Sequence, residues 1–201
     1  MPSAMRGYYA IVDVTPELLG DGDQLVARAR RLLAAQPCCL QLRAKGAGGR
    51  ALATAARPLL ALCRDAGVPF CVNDRLDVAL AVGADVVHLG QDDLPLADAL
   101  RVRAAAGMTG LVIGISTHNL AQARAAAAGG ADYIGYGPIF ATGSKLNPDP
   151  TVGVAALAEV CRAVDVPVVA IGGIGLAAVD AAPDPSAAGL AVAASFAIVG
   201  R

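Results

Sequence analysis

Eight short apolar runs punctuate the chain, at residues 8–12, 38–42, 68–72, 85–89, 111–115, 132–136, 166–171 and 189–193. They are apolar along most of their length rather than at every second position, the pattern of strands buried on both faces. Ala-rich stretches with helical spacing separate them. Residues 24–35 carry Leu25, Arg28, Leu32 and Leu33, and residues 50–66 carry Leu52, Leu59, Leu60 and Leu62. A strand that alternates with a helix pairs in parallel, because parallel neighbours need a long crossover and a helix supplies it.

The arithmetic narrows the architecture further. Eight units in 201 residues average about 25 residues each, near the minimum for a strand, a helix of ~10 residues and two short loops. The prediction is a compact α/β fold, a (β/α)8 TIM barrel forming one domain over residues 1–201, with a doubly wound open sheet as the alternative. Gly67, Gly83 and the pair Gly129-Gly130 stand at helix-to-strand joints, where a helix C-terminus calls for left-handed backbone. After the eighth run about seven residues remain, Ser195 to Arg201, fewer than the ~10 a full outer helix needs. A curtailed final helix is therefore expected, and the apolar segment Ser195-Phe196-Ala197-Ile198-Val199 is expected to be covered by a second subunit in a homodimer.

Composition removes several classes of function. A net charge of −1 provides no basic excess for phosphodiester backbones, and 3% aromatic residues without Trp provide few stacking platforms, so no nucleic-acid partner is expected. The mean hydropathy of +0.56 raises the question of a membrane. The longest uncharged window, residues 104–123, is broken by Gly107, Gly110, Gly114, Ser116, Thr117, His118 and Asn119, which is not a spanning pattern. Residues 1–7 hold no apolar core of a signal peptide. Cys38, Cys39, Cys63, Cys71 and Cys161 lack C-x-x-C spacing and read as buried thiols in a reducing cytoplasm.

In such a barrel the chemistry gathers at the C-terminal ends of the strands. The polar residues there are concentrated. Strand two ends in Gln41-Leu42-Arg43-Ala44-Lys45, strand three in Asn73-Asp74-Arg75, and strand four in His88-Leu89-Gly90-Gln91-Asp92-Asp93. Strand five ends in Ser116-Thr117-His118, strand six leads to Thr142-Gly143-Ser144-Lys145, and strand seven ends in Gly172-Gly173. Gln41, Arg43 and Lys45 share a direction if strand geometry persists, and a guanidinium beside an ammonium suits a polyanionic phosphate. Asp74 and Asp93 are hard oxygen donors fit for Mg²⁺ with a phosphate substrate, salt bridges to Arg43, Arg75 or Lys45 being the plainer alternative. Gly172-Gly173 lets backbone N–H groups approach a phosphate, or simply makes a tight turn. A lone histidine at a strand end, as at His88 and His118, is more often structural than catalytic. No nucleotide-binding loop and no hydrolase arrangement is present.

These motifs, with Gly114-Ile115-Ser116-Thr117-His118, the run from Ala131 to Phe140 and Ala170-Ile171-Gly172-Gly173-Ile174, resemble the thiamine-phosphate synthase family from Tyr8 to about Ala194. The resemblance implies a TIM barrel that condenses hydroxymethylpyrimidine diphosphate with thiazole phosphate, giving thiamine phosphate and diphosphate. By the same resemblance Gln41, Arg43, Lys45, Asn73, Ser116 and Lys145 hold the pyrimidine diphosphate, and Asp74 and Asp93 bind Mg²⁺. Thr142 and Ser144 hold the thiazole, with Gly173 and the backbone near Ala193 and Ala194 on its phosphate. Catalysis falls to Arg43, Lys45, Ser116 and Lys145. In that family the C–O bond to diphosphate breaks, leaving a pyrimidinylmethyl cation that the thiazole nitrogen captures. The chain departs from the pattern in having Ser144 for the usual Thr and Ala193-Ala194 for a valine–serine pair. Two alternatives stand beside this reading. One is a sister barrel that isomerises a thiazole carboxylate phosphate through a histidine such as His118, and the other is a non-catalytic, phosphate-sensing barrel.

Overall fold

The apolar runs become strands because both of their faces find apolar cover. In the computed structural model, which describes residues 5, 7–16, 18–141 and 150–174 and the backbone of residues 190–192, they are β1 (Tyr9–Asp13), β2 (Cys39–Arg43), β3 (Phe70–Asn73), β4 (Val86–Leu89), β5 (Val112–Thr117), β6 (Tyr133–Tyr136), β7 (Val168–Ala170) and β8 (Leu190–Val192). The helices are α1 (Gly22–Leu33), α2 (Gly49–Ala66), α3 (Leu76–Val82), α4 (Leu96–Ala105), α5 (Leu120–Ala128) and α6 (Gly153–Ala163). A short 3-10 turn, Leu18–Gly20, precedes α1.

All strands pair in parallel in one sheet whose order is the chain order, β1 to β8. A doubly wound sheet must reverse its strand order once, so that alternative is excluded. The sheet is also strongly curled. In a flat sheet β1 and β6 would lie five strand spacings apart, about 24 Å at ~4.8 Å per spacing. Yet the hydroxyl oxygens of Tyr9 and Tyr133, one on each of these strands, are 3.2 Å apart. The expected closed eightfold barrel is met to this extent: a curled parallel sheet of eight strands. No ladder between β8 and β1 occurs among the described residues, and the expected curtailed final helix and segment 195–199 lie outside them.

Curling splits the core in two. Leu40, Leu42, Phe70, Val72, Leu89, Ile113 and Ile134 face outwards and pack with helix residues such as Leu25, Leu52, Leu59 and Val160. Tyr9, Ile11, Cys39, Cys71, Val86, Tyr133 and Val169 fill the inside. The buried face of α2, Leu52, Ala55, Ala56, Leu59, Leu60 and Cys63, keeps the helical period. On α1 the stripe runs through Leu25, Ala29, Leu32 and Leu33, so Ala29 takes the place expected of Arg28. Arg28 lies to the side, with Nη2 donating to Gln24 Oε1 at 3.3 Å. Gly67 and Gly83 close their helices with φ of +68° and +72°, as their positions before the next strand predict.

Cys39, Cys63 and Cys71 are buried free thiols, whereas Cys38 and Cys161 are only partly buried, a correction to the expectation for all five. Burial pushes the Cys63 thiol up to about 12 and the Cys38 thiol up to about 11. No described helix is long and apolar enough to cross a membrane.

Candidate active site

Side chains alternate along each strand, so the inside of the curl receives every second residue. Tyr9 and Ile11 belong to the inner cluster, and so does Cys39. Their parity carries Asp13 on β1 and Gln41 and Arg43 on β2 to the same side. On β3 to β6 the last positions of this parity are Asn73, His88, Ser116 and Gly135. The register sets Asp13 opposite Arg43, Asn73 opposite His88 and Ser116 opposite Gly135. The polar residues of separate sequence motifs thus form a ring at the C-terminal ends of the strands.

Two cation–carboxylate pairs dominate one arc of that ring. Arg43 Nη1 donates to both carboxylate oxygens of Asp13 at 2.7 Å, with both side chains about one-fifth exposed. The other guanidinium nitrogens have no partner among the described residues. Lys45, just past the end of β2, places Nζ 2.6 Å from Asp74 Oδ2. Gln41 is deeper and buried, and its Nε2 donates to Tyr9 Oη at 2.9 Å. The expected common wall of Gln41, Arg43 and Lys45 is therefore stepped, with the amide at the bottom and the ammonium at the rim. Arg75 turns aside and grips Asp77 with Nε and Nη2 at 2.8 and 2.6 Å.

Asp74 holds a φ of +63°, a left-handed conformation that aspartate tolerates better than most residues. Its backbone N–H donates to the His88 carbonyl at 2.7 Å, which ties the β3 end to β4. Asp93 Oδ2 accepts from the Gly90 N–H at 2.6 Å. Burial raises the Asp93 carboxyl above its ordinary range against the pull of Gly90, and the neighbouring Asp74 carboxyl, close enough for a hydrogen bond, pushes it the same way. Two carboxyl groups forced together in this manner are a donor set suited to a small hard cation, which would relieve their repulsion. No cluster of three or more such ligands occurs among the described residues.

The inner layer contributes polar groups of its own. His88 Nδ1 lies 2.9 Å from Tyr133 Oη and its Nε2 lies 2.8 Å from Ser116 Oγ. Burial lowers the His88 imidazole to about 4, and the charge of Asp93 only partly opposes this, so His88 is neutral near pH 7. Across the ring, Ile139 and Phe140 donate their backbone N–H groups to the carbonyls of Ile171 and Gly172 at 2.9 and 3.0 Å. Gly172 and Gly173 have φ of +98° and +65°, and a Cβ on Gly173 would stand 2.5 Å from the Ala141 carbonyl oxygen. Gly173 is exposed, so its backbone is accessible to a ligand as well as shaped into a tight turn. Thr142, Ser144, Lys145, Ala193 and Ala194 lie outside the described residues.

Residues 8–196 match the family described as thiamine monophosphate synthase. The chain belongs to this family. It is 48% identical over 188 residues to the thiamine-phosphate synthase of Anaeromyxobacter dehalogenans, covering 94% of this chain and 79% of that one. Over 194 residues it is 46% identical to the thiamine-phosphate synthase of Methanoculleus marisnigri, covering 96% and 89%. The solved structure of a thiamine phosphate pyrophosphorylase from Pyrococcus furiosus superposes with a TM-score of 0.78 at 31% identity, covering 100% of this chain and 90% of that one.

Within this thiamine monophosphate synthase fold, the sequence motifs located Gln41, Arg43, Lys45, Asn73, Asp74, Asp93, Ser116 and Gly173 at one end of the sheet. They did not point to Asp13, whose signal was available: it is the acidic residue that ends the first strand. Tyr9 and Tyr133 were also missed. Inside apolar runs a tyrosine looks like any strand-forming aromatic, and only the curl brings these two together.

Proposed function

We infer that this chain is the transferase its family is named for: it joins hydroxymethylpyrimidine diphosphate to thiazole phosphate, giving thiamine phosphate and diphosphate. The observation that carries this reading is the arc of Arg43–Asp13 and Lys45–Asp74 pairs beside Asp93, a surface where two cations and a pair of adjacent carboxyl groups suited to a metal meet at one end of a parallel sheet. The 48% identical relative bears the name of the same activity. The curl and the sequential strand order also support closure of β8 onto β1, a full (β/α)8 barrel that would wall this end all round. The free thiols fit a reducing compartment, and the cytoplasm is the proposed location.

The chemistry asks for no side-chain nucleophile. The C–O bond to diphosphate breaks, the electron pair leaves with the diphosphate, and the thiazole nitrogen gives its lone pair to the pyrimidinylmethyl cation. Arg43, Lys45 and Lys145 stabilise the charge that gathers on the departing group, and Ser116 and Asn73 orient it. Mg²⁺ held by Asp74 and Asp93 would supply additional positive charge to the diphosphate oxygens. Thr142 and Ser144, with the backbone of Gly173, Ala193 and Ala194, position the thiazole phosphate. Gln41 and the second acidic residue favour the synthase over the isomerising sister barrel.

The test is direct. Purified protein incubated with both substrates and Mg²⁺ should release thiamine phosphate and diphosphate in equal amounts. No thiamine phosphate under those conditions would sink the reading and leave a phosphate-binding barrel.

A further inference from the structure

Five polar groups form one connected chain through the floor of the site, with the Cys71 thiol, a weak acceptor whose own hydrogen goes to the Val72 carbonyl, as a side contact of Gln41 Nε2 at 3.6 Å and of both tyrosine hydroxyls. Gln41 Nε2 donates to Tyr9 Oη at 2.9 Å. Tyr9 Oη and Tyr133 Oη are 3.2 Å apart, Tyr133 Oη and His88 Nδ1 2.9 Å, and His88 Nε2 and Ser116 Oγ 2.8 Å. The chain thus runs from β2 through β1, β6 and β4 to β5, and it links two residues already assigned to the same substrate. Space for it is built into the strands. A Cβ on Gly114 would come within 2.1 Å of the Tyr133 ring, and one on Gly135 within 3.0 Å of the His88 ring.

The first link has a fixed direction, since an amide nitrogen can only donate. Each tyrosine hydroxyl has one hydrogen to pass on, and a neutral imidazole has one donor and one acceptor nitrogen. When Tyr9 donates to Tyr133 and Tyr133 to His88 Nδ1, the imidazole hydrogen must sit on Nε2 and go to Ser116 Oγ. Ser116 then has its own hydrogen left for an acceptor outside the chain. We propose that Gln41, Tyr9, Tyr133 and His88 form a one-way hydrogen-bond relay that fixes the Ser116 hydroxyl as a donor to an anionic oxygen of the diphosphate substrate. The opposite sense would turn the lone pairs of Ser116 towards that anion, exchanging a charge-assisted hydrogen bond for repulsion. Tyr9, Tyr133 and His88 act here as positioning residues. The proposal rests on the functional reading above, which places diphosphate at this end of the sheet.

Two measurements test it. The chain has two histidines, so 15N spectra of histidine-labelled protein, assigned with His88→Gln, report the His88 tautomer directly. The expected form carries its hydrogen on Nε2, and a hydrogen on Nδ1 would overturn the relay. The second is a double-mutant cycle on kcat/KM for the pyrimidine diphosphate. Tyr133→Phe and Ser116→Ala should each lower it about tenfold or more, the scale of a hydrogen bond to a charged group, with the thiazole KM unmoved. The double variant should be no worse than Ser116→Ala, because both act through one hydroxyl, whereas losses that multiply would refute the coupling. If the parent chain makes no thiamine phosphate, the functional reading fails and the tautomer still decides the relay. If Tyr133→Phe does not fold, the tautomer of the parent decides it as well.

Discussion

Asp13, which no motif marks, sets the position of the Arg43 guanidinium at the strand ends. An arginine facing the inside of a sheet retains several rotamers, and Asp13 reduces them by engaging Nη1 through both oxygens at 2.7 Å. Asp13→Asn keeps the shape and removes the charge, so Arg43 loses its anchor. The expected outcome is a several-fold rise in the KM for the pyrimidine diphosphate with the thiazole KM unchanged, read by steady-state kinetics varying each substrate in turn. Equal effects on both KM values would mean that Arg43 does not serve one substrate alone. His88 carries a second residue-scale prediction. Its folded value, lowered to about 4 by burial, lies below the ordinary 6.5, so the unfolded chain binds the extra proton first. The stability that neutral His88 contributes is fully present above pH 6.5 and is lost as the pH falls towards about 4. Melting temperatures followed from pH 7 to pH 4.5 should therefore fall more steeply for the parent than for His88→Gln; parallel curves would show that this imidazole does not titrate on unfolding.

Elements here owe their form to small residues as much as to large ones. The β5 strand runs Val112-Ile113-Gly114-Ile115-Ser116-Thr117, and its glycine is a β-sheet weakness by propensity alone. Tyr133 of the paired β6 explains it, because the ring occupies the volume where a Cβ would be, 2.1 Å from Cζ and 2.5 Å from Oη. Gly114→Ala should destabilise the protein by at least ~1–3 kcal/mol, the usual range for an over-packed core, measured as a lower denaturant midpoint. Tyr133→Ala in the same chain should recover part of that loss; full additivity of the two changes would contradict the contact. The helices were legible for a related reason. Their buried stripes follow the helical period, and the misplaced positions, Arg28 for Ala29 on α1 and Leu62 beside Cys63 on α2, arose because periodicity alone cannot tell adjacent flank from face. The glycine at the end of α3 was legible because φ of +72° is a local requirement that no neighbour can override.

At the scale of the whole molecule, the site draws on β1 to β6, so ligand binding and global folding are linked. On the proposed reading inorganic diphosphate with Mg²⁺ binds only the assembled site, and at about a hundred times its Kd would stabilise the fold by about 2.7 kcal/mol. A raised melting temperature is expected with both together, a much smaller rise with either alone, and loss of the joint effect in Asp93→Asn. An undiminished joint shift in that variant would remove Asp93 from the proposed metal site. Periodicity and position along the chain were enough to read the strand and helix alternation, the parallel pairing and the gathering of Gln41, Arg43, Asp74, Asp93 and Ser116 at strand ends. Which of these meet is set by the folded sheet. It paired Arg43 with Asp13 and Lys45 with Asp74, turned Arg75 away to Asp77, and joined Tyr9 to Tyr133 across 124 residues. The physical reason is the curl: side-chain alternation is a local property of a strand, but which inward residues touch depends on the curvature of the whole sheet, which no single segment encodes.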